Sequence, residues 1–170
     1  DQTITAGTAL TLSASSLGLP APTYQWQKDG VTLLPATTTT LTIPATSLTD
    51  AGRYTVTATN FLGASTASAT LIVRAPPIFT LLPTNQTARL GAAVTFTTAA
   101  SGFPVPSFQW RKNGTLLAGA TNASLIITSA ATADAARYEV VATNSLASVT
   151  SPVATLSLNT TNRDFSGTYF

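Results

Sequence analysis

Cysteine, methionine and histidine are all missing from the 170 residues. With no thiol and no imidazole, the chain has no disulfide, no thiolate chemistry, no His/Cys zinc site and no Ser-His-Asp nucleophile. Charge is scarce too. Asp, Glu, Lys and Arg make up 8% of the chain, with eight bases, six acids and a net charge of +2, against about 25% charged residues in an ordinary soluble domain. The bases are scattered and form no stripe that would track a phosphate backbone, which argues against a nucleic-acid partner. No apolar run reaches the length of a membrane span, so no membrane insertion is expected. The acids, Asp1, Asp29, Asp50, Asp134, Glu139 and Asp164, make neither an alternating calcium loop nor a pair placed for acid–base work. No catalytic, cofactor-binding or metal-binding residue is therefore expected, and no cofactor.

Threonine and alanine fill about a third of the positions. Threonine is β-branched and the alanines follow no helical period, so the composition favours strands. Apolar residues alternate in short runs: Leu10, Leu12 and Ala14; Tyr24 and Trp26; Leu41 and Ile43; Tyr54, Val56 and Ala58; Leu71 and Val73. Period two over short segments between turn residues marks half-buried strands of a sandwich. Most of the pattern occurs twice. "APTYQWQKDG" at 21–30 returns as "VPSFQWRKNG" at 105–114, and Gly7, Trp26, Asp50 and Tyr54 match Gly91, Trp110, Asp134 and Tyr138 at a constant offset of 84 positions. The final strand, "ATLIV" against "ATLSL", is displaced by one residue more. Asp29-Gly30 and Asn113-Gly114 are dipeptides that tolerate positive φ, so each tryptophan strand should turn back at once into a hairpin.

"GTALTLSAS…YQWQKDG…LTI…TDAGRYTVTATN" and its second copy "GAAVTFTTA…FQWRKNG…LII…ADAARYEVVATN" resemble tandem immunoglobulin domains of the I-set-like kind repeated in large bacterial surface and secreted proteins. The resemblance covers about 160 residues. It implies an all-β chain of two tandem immunoglobulin-like β-sandwiches, with Trp26 and Trp110 as core tryptophans and Tyr54 and Tyr138 as tyrosine-corner residues. The positions of the family's disulfide read Ala14 and Val56 in one copy, Thr98 and Val140 in the other. Stabilisation of typically about 2–5 kcal/mol must then come from packing or from neighbours.

The domains are expected at 1–74 and 75–158, with 159–170 as a C-terminal extension. Residues 75–84, "APPIFTLLPT", have no counterpart ahead of Asp1, so the first domain should lack strand A. An aspartate in the first position points to a processed or excised segment. Two functions follow. In one, the chain is an extracellular structural subunit whose extension, with Phe165, Tyr169 and Phe170 as candidate subunit contacts, adds a strand to the first domain of the next copy and so self-associates head-to-tail. In the other, it is a tandem spacer or adhesin segment of a longer bacterial surface protein, binding a glycan or protein through the hairpins at Asp29 and Asn113 and through exposed aromatics such as Phe61 and Phe103. Either way the expected place is extracellular or on the cell surface, and no enzyme is expected. Sequons at Asn85, Asn113, Asn122 and Asn159 arise easily in so Asn- and Thr-rich a chain, and Asn113 already has a turn role. Lys28 and Lys112, placed at hairpins, lack the desolvation that an isopeptide crosslink needs.

The strand register carries a direct test. Oxidation of the double variant Ala14→Cys/Val56→Cys should form an intramolecular disulfide, read as loss of free thiols, because the two positions should face one another between the sheets. Persistent thiols in the folded variant would overturn the register.

Overall fold

The computed structural model describes residues 1–159; Phe165, Tyr169 and Phe170, the candidate contacts of the extension, lie outside the described residues. The chain divides into two units, Asp1–Ala75 and a second beginning at Pro76, and each is an all-β sandwich.

In the first unit one sheet contains β1 (Gln2–Thr5), β3 (Thr23–Lys28), β4 (Val31–Thr32), β6 (Gly52–Asn60) and β7 (Gly63–Leu81), in the order β1-β7-β6-β3-β4. β1 runs parallel to β7 from Gln2/Leu71 to Thr5/Arg74. The facing sheet pairs β2 (Leu10–Ser13) with β5 (Thr40–Ile43). Alternation has its usual cause: Leu10 and Leu12 turn inward while Thr11 and Ser13 meet water. Leu10, Leu12, Trp26, Tyr54, Val56, Leu71 and Val73 form the core.

The second unit repeats the plan. β8 (Gln86–Arg89), β11 (Ser107–Lys112), β12 (Thr115–Leu116), β14 (Arg137–Thr143), β15 (Ser148–Thr150) and β16 (Ala154–Asn159) share one sheet, and β9 (Val94–Thr97) pairs with β13 (Ser124–Ile127) in the other. β10 (Ala99–Phe103) extends the line of β9 and pairs with β7, whose residues from Pro76 onward belong to this unit. Phe96 replaces Leu12 in this core, with its ring centroid 4.8 Å from that of Tyr138 and 6.2 Å from that of Trp110.

The one-residue displacement of the last strand has a physical origin. β6 and β7 pair without a break from Gly52/Leu71 to Asn60/Gly63, whereas β14 pairs first with β15, ending at Val141/Thr150, and resumes with β16 at Tyr138/Ala154. Between them Ser151-Pro152-Val153 carries one extra residue, and Pro152 has no N–H to give a ladder. Ser151 is buried. Its hydroxyl accepts the Val140 amide at 3.1 Å and donates to the Pro152 carbonyl at 2.9 Å, so the bulge leaves that amide satisfied.

Both hairpins use mirror-image type I turns. Asp29 and Gly30 have φ of 49° and 82°, and Asn113 and Gly114 have 51° and 79°, the handedness that matches the twist of the flanking strands. The loop before β6 and that before β14 each contain one 3₁₀ turn, Leu48–Asp50 and Thr132–Asp134. The Tyr54 hydroxyl donates to the Asp50 carbonyl at 2.8 Å and the Tyr138 hydroxyl to the Asp134 carbonyl at 2.9 Å.

Tyr138→Phe removes a buried donor and should lower stability by about 0.5–1.5 kcal/mol. Phe96→Ala, which empties the aromatic stack, should cost about 3–5 kcal/mol. Urea denaturation of the whole chain, followed by tryptophan fluorescence, measures both; equal losses would contradict the packing described.

Candidate functional site

The repeated Gln-Trp pair is explained by hydrogen bonding. Trp26 and Trp110 are buried opposite Val56 and Val140 on the next strand. Each indole N–H reaches a carbonyl across the sandwich, that of Thr38 and that of Asn122, both at 2.9 Å. The preceding glutamine lies on the other face of the strand. Gln25 Nε2 donates to the carbonyls of Trp26, Leu33 and Ala36 at 3.0, 2.9 and 3.4 Å, and Gln109 repeats this with Trp110, Leu117 and Ala120. Sequence reasoning had assigned the tryptophans and passed over the glutamines, although their recurrence beside each tryptophan was the available signal.

The described acids are occupied by structure. Asp29 Oδ1 accepts the Arg53 amide at 2.8 Å, and that bond, with Lys28 at 3.0 Å from Oδ2, holds its carboxyl below the ordinary range. Asp50 takes both the amide and the hydroxyl of Ser47 at 2.7 Å, which also lowers it. Asp134 accepts the Ala131 amide at 3.0 Å and the Lys112 ammonium at 2.9 Å; the amide first and the ammonium second lower its carboxyl, while the bond to Asp134 raises Lys112. Arg111 lies 3.7 Å from Glu139, and Asp1 caps the Thr70 amide at 2.8 Å. Among the described residues no three acids gather to hold a metal ion, and no helix is long and apolar enough to cross a membrane. Lys112 is thus an ion-pair partner of Asp134.

What remains open is apolar surface. In the first unit the turn between β6 and β7 presents Phe61 and Leu62, 79% and 71% exposed, and the loop between β2 and β3 presents Leu17 and Leu19, also exposed. Asn60 ties the two loops together, its Nδ2 donating to the Pro20 carbonyl at 3.0 Å. Leu17, Pro22 and Leu62 line one recess of about 270 Å³ between them. The second unit keeps the tie, Asn144 Nδ2 to the Pro104 carbonyl at 3.0 Å, but has Ser145 and Leu146 in place of the Phe-Leu pair. Phe103 is 45% exposed at the end of β10.

A second feature of the first unit lies along its edge. Residues 14–19 form no strand, whereas the matching β10 of the second unit is paired by β7 and Thr98 donates to the Leu81 carbonyl at 2.9 Å. A recess of about 440 Å³ opens beside this edge, with Ala14, Trp26, Tyr54 and Val56 in its walls. Thr98 and Val140, the matching pair in the second unit, are buried.

Two sandwiches, each with a buried strand tryptophan and a tyrosine corner, define the class of protein. The family model of the immunoglobulin domain matches residues 1–60 and 76–144, and the chain belongs to that family. It is similar to Hemicentin-1 of Mus musculus, 35% identical over 152 residues that make up 80% of this chain and 3% of that protein. It is also similar to Endoglucanase C of Cellulomonas fimi, 38% identical over 118 residues, 65% of this chain and 11% of that protein, and to Roundabout homolog 1 of Rattus norvegicus, 36% identical over 65% of this chain and 7% of that protein. The chain therefore spans a small fraction of the curated relatives it matches. The fold is shared with the N-terminal four immunoglobulin domains of Dscam1 isoform 7.44, with a TM-score of 0.77 and 24% identity over 93% of this chain and 43% of that one.

The Lys112–Asp134 pair gives a pH signature. A depressed carboxyl stabilises the fold above its unfolded value of about 4, and the contribution is lost as pH falls through the lower folded value; a raised ammonium stabilises below about 10.4 and is lost as pH rises through the higher folded value. The difference in thermal midpoint between wild type and Asp134→Asn should therefore be largest near neutrality and shrink towards both extremes. A pH-independent difference would remove the ion pair as its cause.

Proposed function

We propose that this chain is a non-enzymatic, extracellular adhesion segment of a repetitive bacterial surface or secreted protein, and that it associates with a further copy through the apolar loop end of the first unit. The observation that carries the reading is the gathering of Phe61, Leu62, Leu17 and Leu19 on two loops that Asn60 ties together, whereas Val31 and Leu34 are exposed elsewhere on the unit. Exposed apolar residues gathered between two tied loops are the ordinary mark of a protein contact, whereas singly scattered ones need no explanation. The non-enzymatic part is supported by the acids, which are spent on backbone amides and ion pairs. The bacterial setting is supported by the Cellulomonas fimi relative, and an exposed setting by hydroxyl-rich strand faces.

A second reading is favoured by the edge at residues 14–19. Residues 159–170, with Phe165, Tyr169 and Phe170, would add a strand there on the next copy and fill the recess beside Ala14, giving a head-to-tail fibre. Sedimentation velocity over a concentration series separates the two with three proteins. The whole chain should gain mass with concentration. Loss of that gain in Phe61→Ser/Leu62→Ser supports the loop contact, and its loss on truncation after Leu158 supports strand addition. A whole chain that stays monomeric at every concentration would overturn both.

A further inference from the structure

We propose that Asn113 is a deamidation site of the folded protein, converting in place to an acidic residue that the turn already accommodates. The dipeptide Asn113-Gly114 caps the hairpin between β11 and β12, exposed to solvent. In the reaction the Gly114 backbone nitrogen attacks Asn113 Cγ. An N–Cγ bond forms, the Cγ–Nδ2 bond breaks, the amide proton passes to the departing nitrogen and ammonia leaves. Water then opens the cyclic imide at either carbonyl, giving aspartate or its β-linked isomer.

Three features of this turn favour the step. Gly114 has no Cβ to crowd the approach of its nitrogen to Asn113 Cγ, and the space a Cβ would take is open to 4 Å. The Arg137 amide donates to Asn113 Oδ1 at 3.0 Å. That oxygen acquires negative charge when the nitrogen adds, so the donor is already aimed at the developing oxyanion. A recess of about 400 Å³ lined by Asn113, Gly114, Arg137, Tyr138, Glu139 and Val153 leaves room for water. Other asparagines lack the combination. Asn122 and Asn85 are followed by Ala123 and Gln86, whose Cβ atoms crowd the attack. Asn60 and Asn144 have their side-chain nitrogens bound to the Pro20 and Pro104 carbonyls.

The first unit shows that an acid fits. Asp29 stands at the matching position with φ of 49° against 51° for Asn113, and its Oδ1 accepts the Arg53 amide at 2.8 Å as Asn113 accepts that of Arg137. Lys28 pairs with Asp29 at 3.0 Å, while Lys112 pairs with Asp134 at 2.9 Å. Conversion would place a second carboxylate beside Lys112 and bring the two turns to the same charge.

The intact protein is incubated at mildly alkaline pH, its fold followed by tryptophan fluorescence, and digested with trypsin. Cleavage after Lys112 and Arg137 gives one fragment holding both Asn113 and Asn122. The acid form should accumulate at Asn113 with time, faster at higher pH, in both isomers, while Asn122 stays an amide. The Asn113→Asp variant should keep the wild-type thermal midpoint. An amide persisting at Asn113 while a free peptide of residues 110–118 converts, or equal conversion at Asn122, would overturn the site. A lowered midpoint in Asn113→Asp would overturn the accommodation.

Discussion

One indole N–H organises each unit. The bond from Trp26 to the Thr38 carbonyl, and its twin from Trp110 to Asn122, reaches from the middle of one sheet to the chain leading into the other. A large ring pinned at both its apolar body and its polar edge has little freedom to slide. The strand that carries it is held on its opposite face by the glutamine amide, and the neighbouring strand is fixed by the tyrosine corner. Together these contacts tie the two sheets of each unit to one another.

The two units solve the same packing problem with different volumes. Phe96 fills in the second what Leu12 leaves partly open in the first, and Thr98 ties a strand where Ala14 has no hydroxyl to offer. The first unit accordingly keeps a recess beside Ala14, where the second has a paired strand. In the second, the sheet irregularity is sealed from within by Ser151.

Much of this was legible in the chain. Alternation gave the strands because a side chain's face in a sheet follows directly from its parity, and the tryptophan, tyrosine and turn glycines are residues whose geometry has few alternatives. The apolar end of the first unit was only partly visible. Phe61 stood out as an aromatic in a loop, but Leu17, Leu19 and Leu62 read as ordinary hydrophobic residues until their exposure and the Asn60 tie were seen. The one-residue displacement was visible as a number without a cause, since a bulge is a property of two strands together and neither sequence alone contains it. The lysines show the same limit. Lys28 and Lys112 are equivalent by alignment yet take different carboxylates, because the turn holds an acid in one copy and an amide in the other.

The strand faces turned to water are rows of threonine and serine. Thr11 meets Thr42 through their hydroxyls at 3.3 Å, and Thr143 meets Ser148 at 2.8 Å. Such groups hydrate strongly while carrying no net charge, so the long-range field of these faces comes from the few Lys, Arg, Asp and Glu between them.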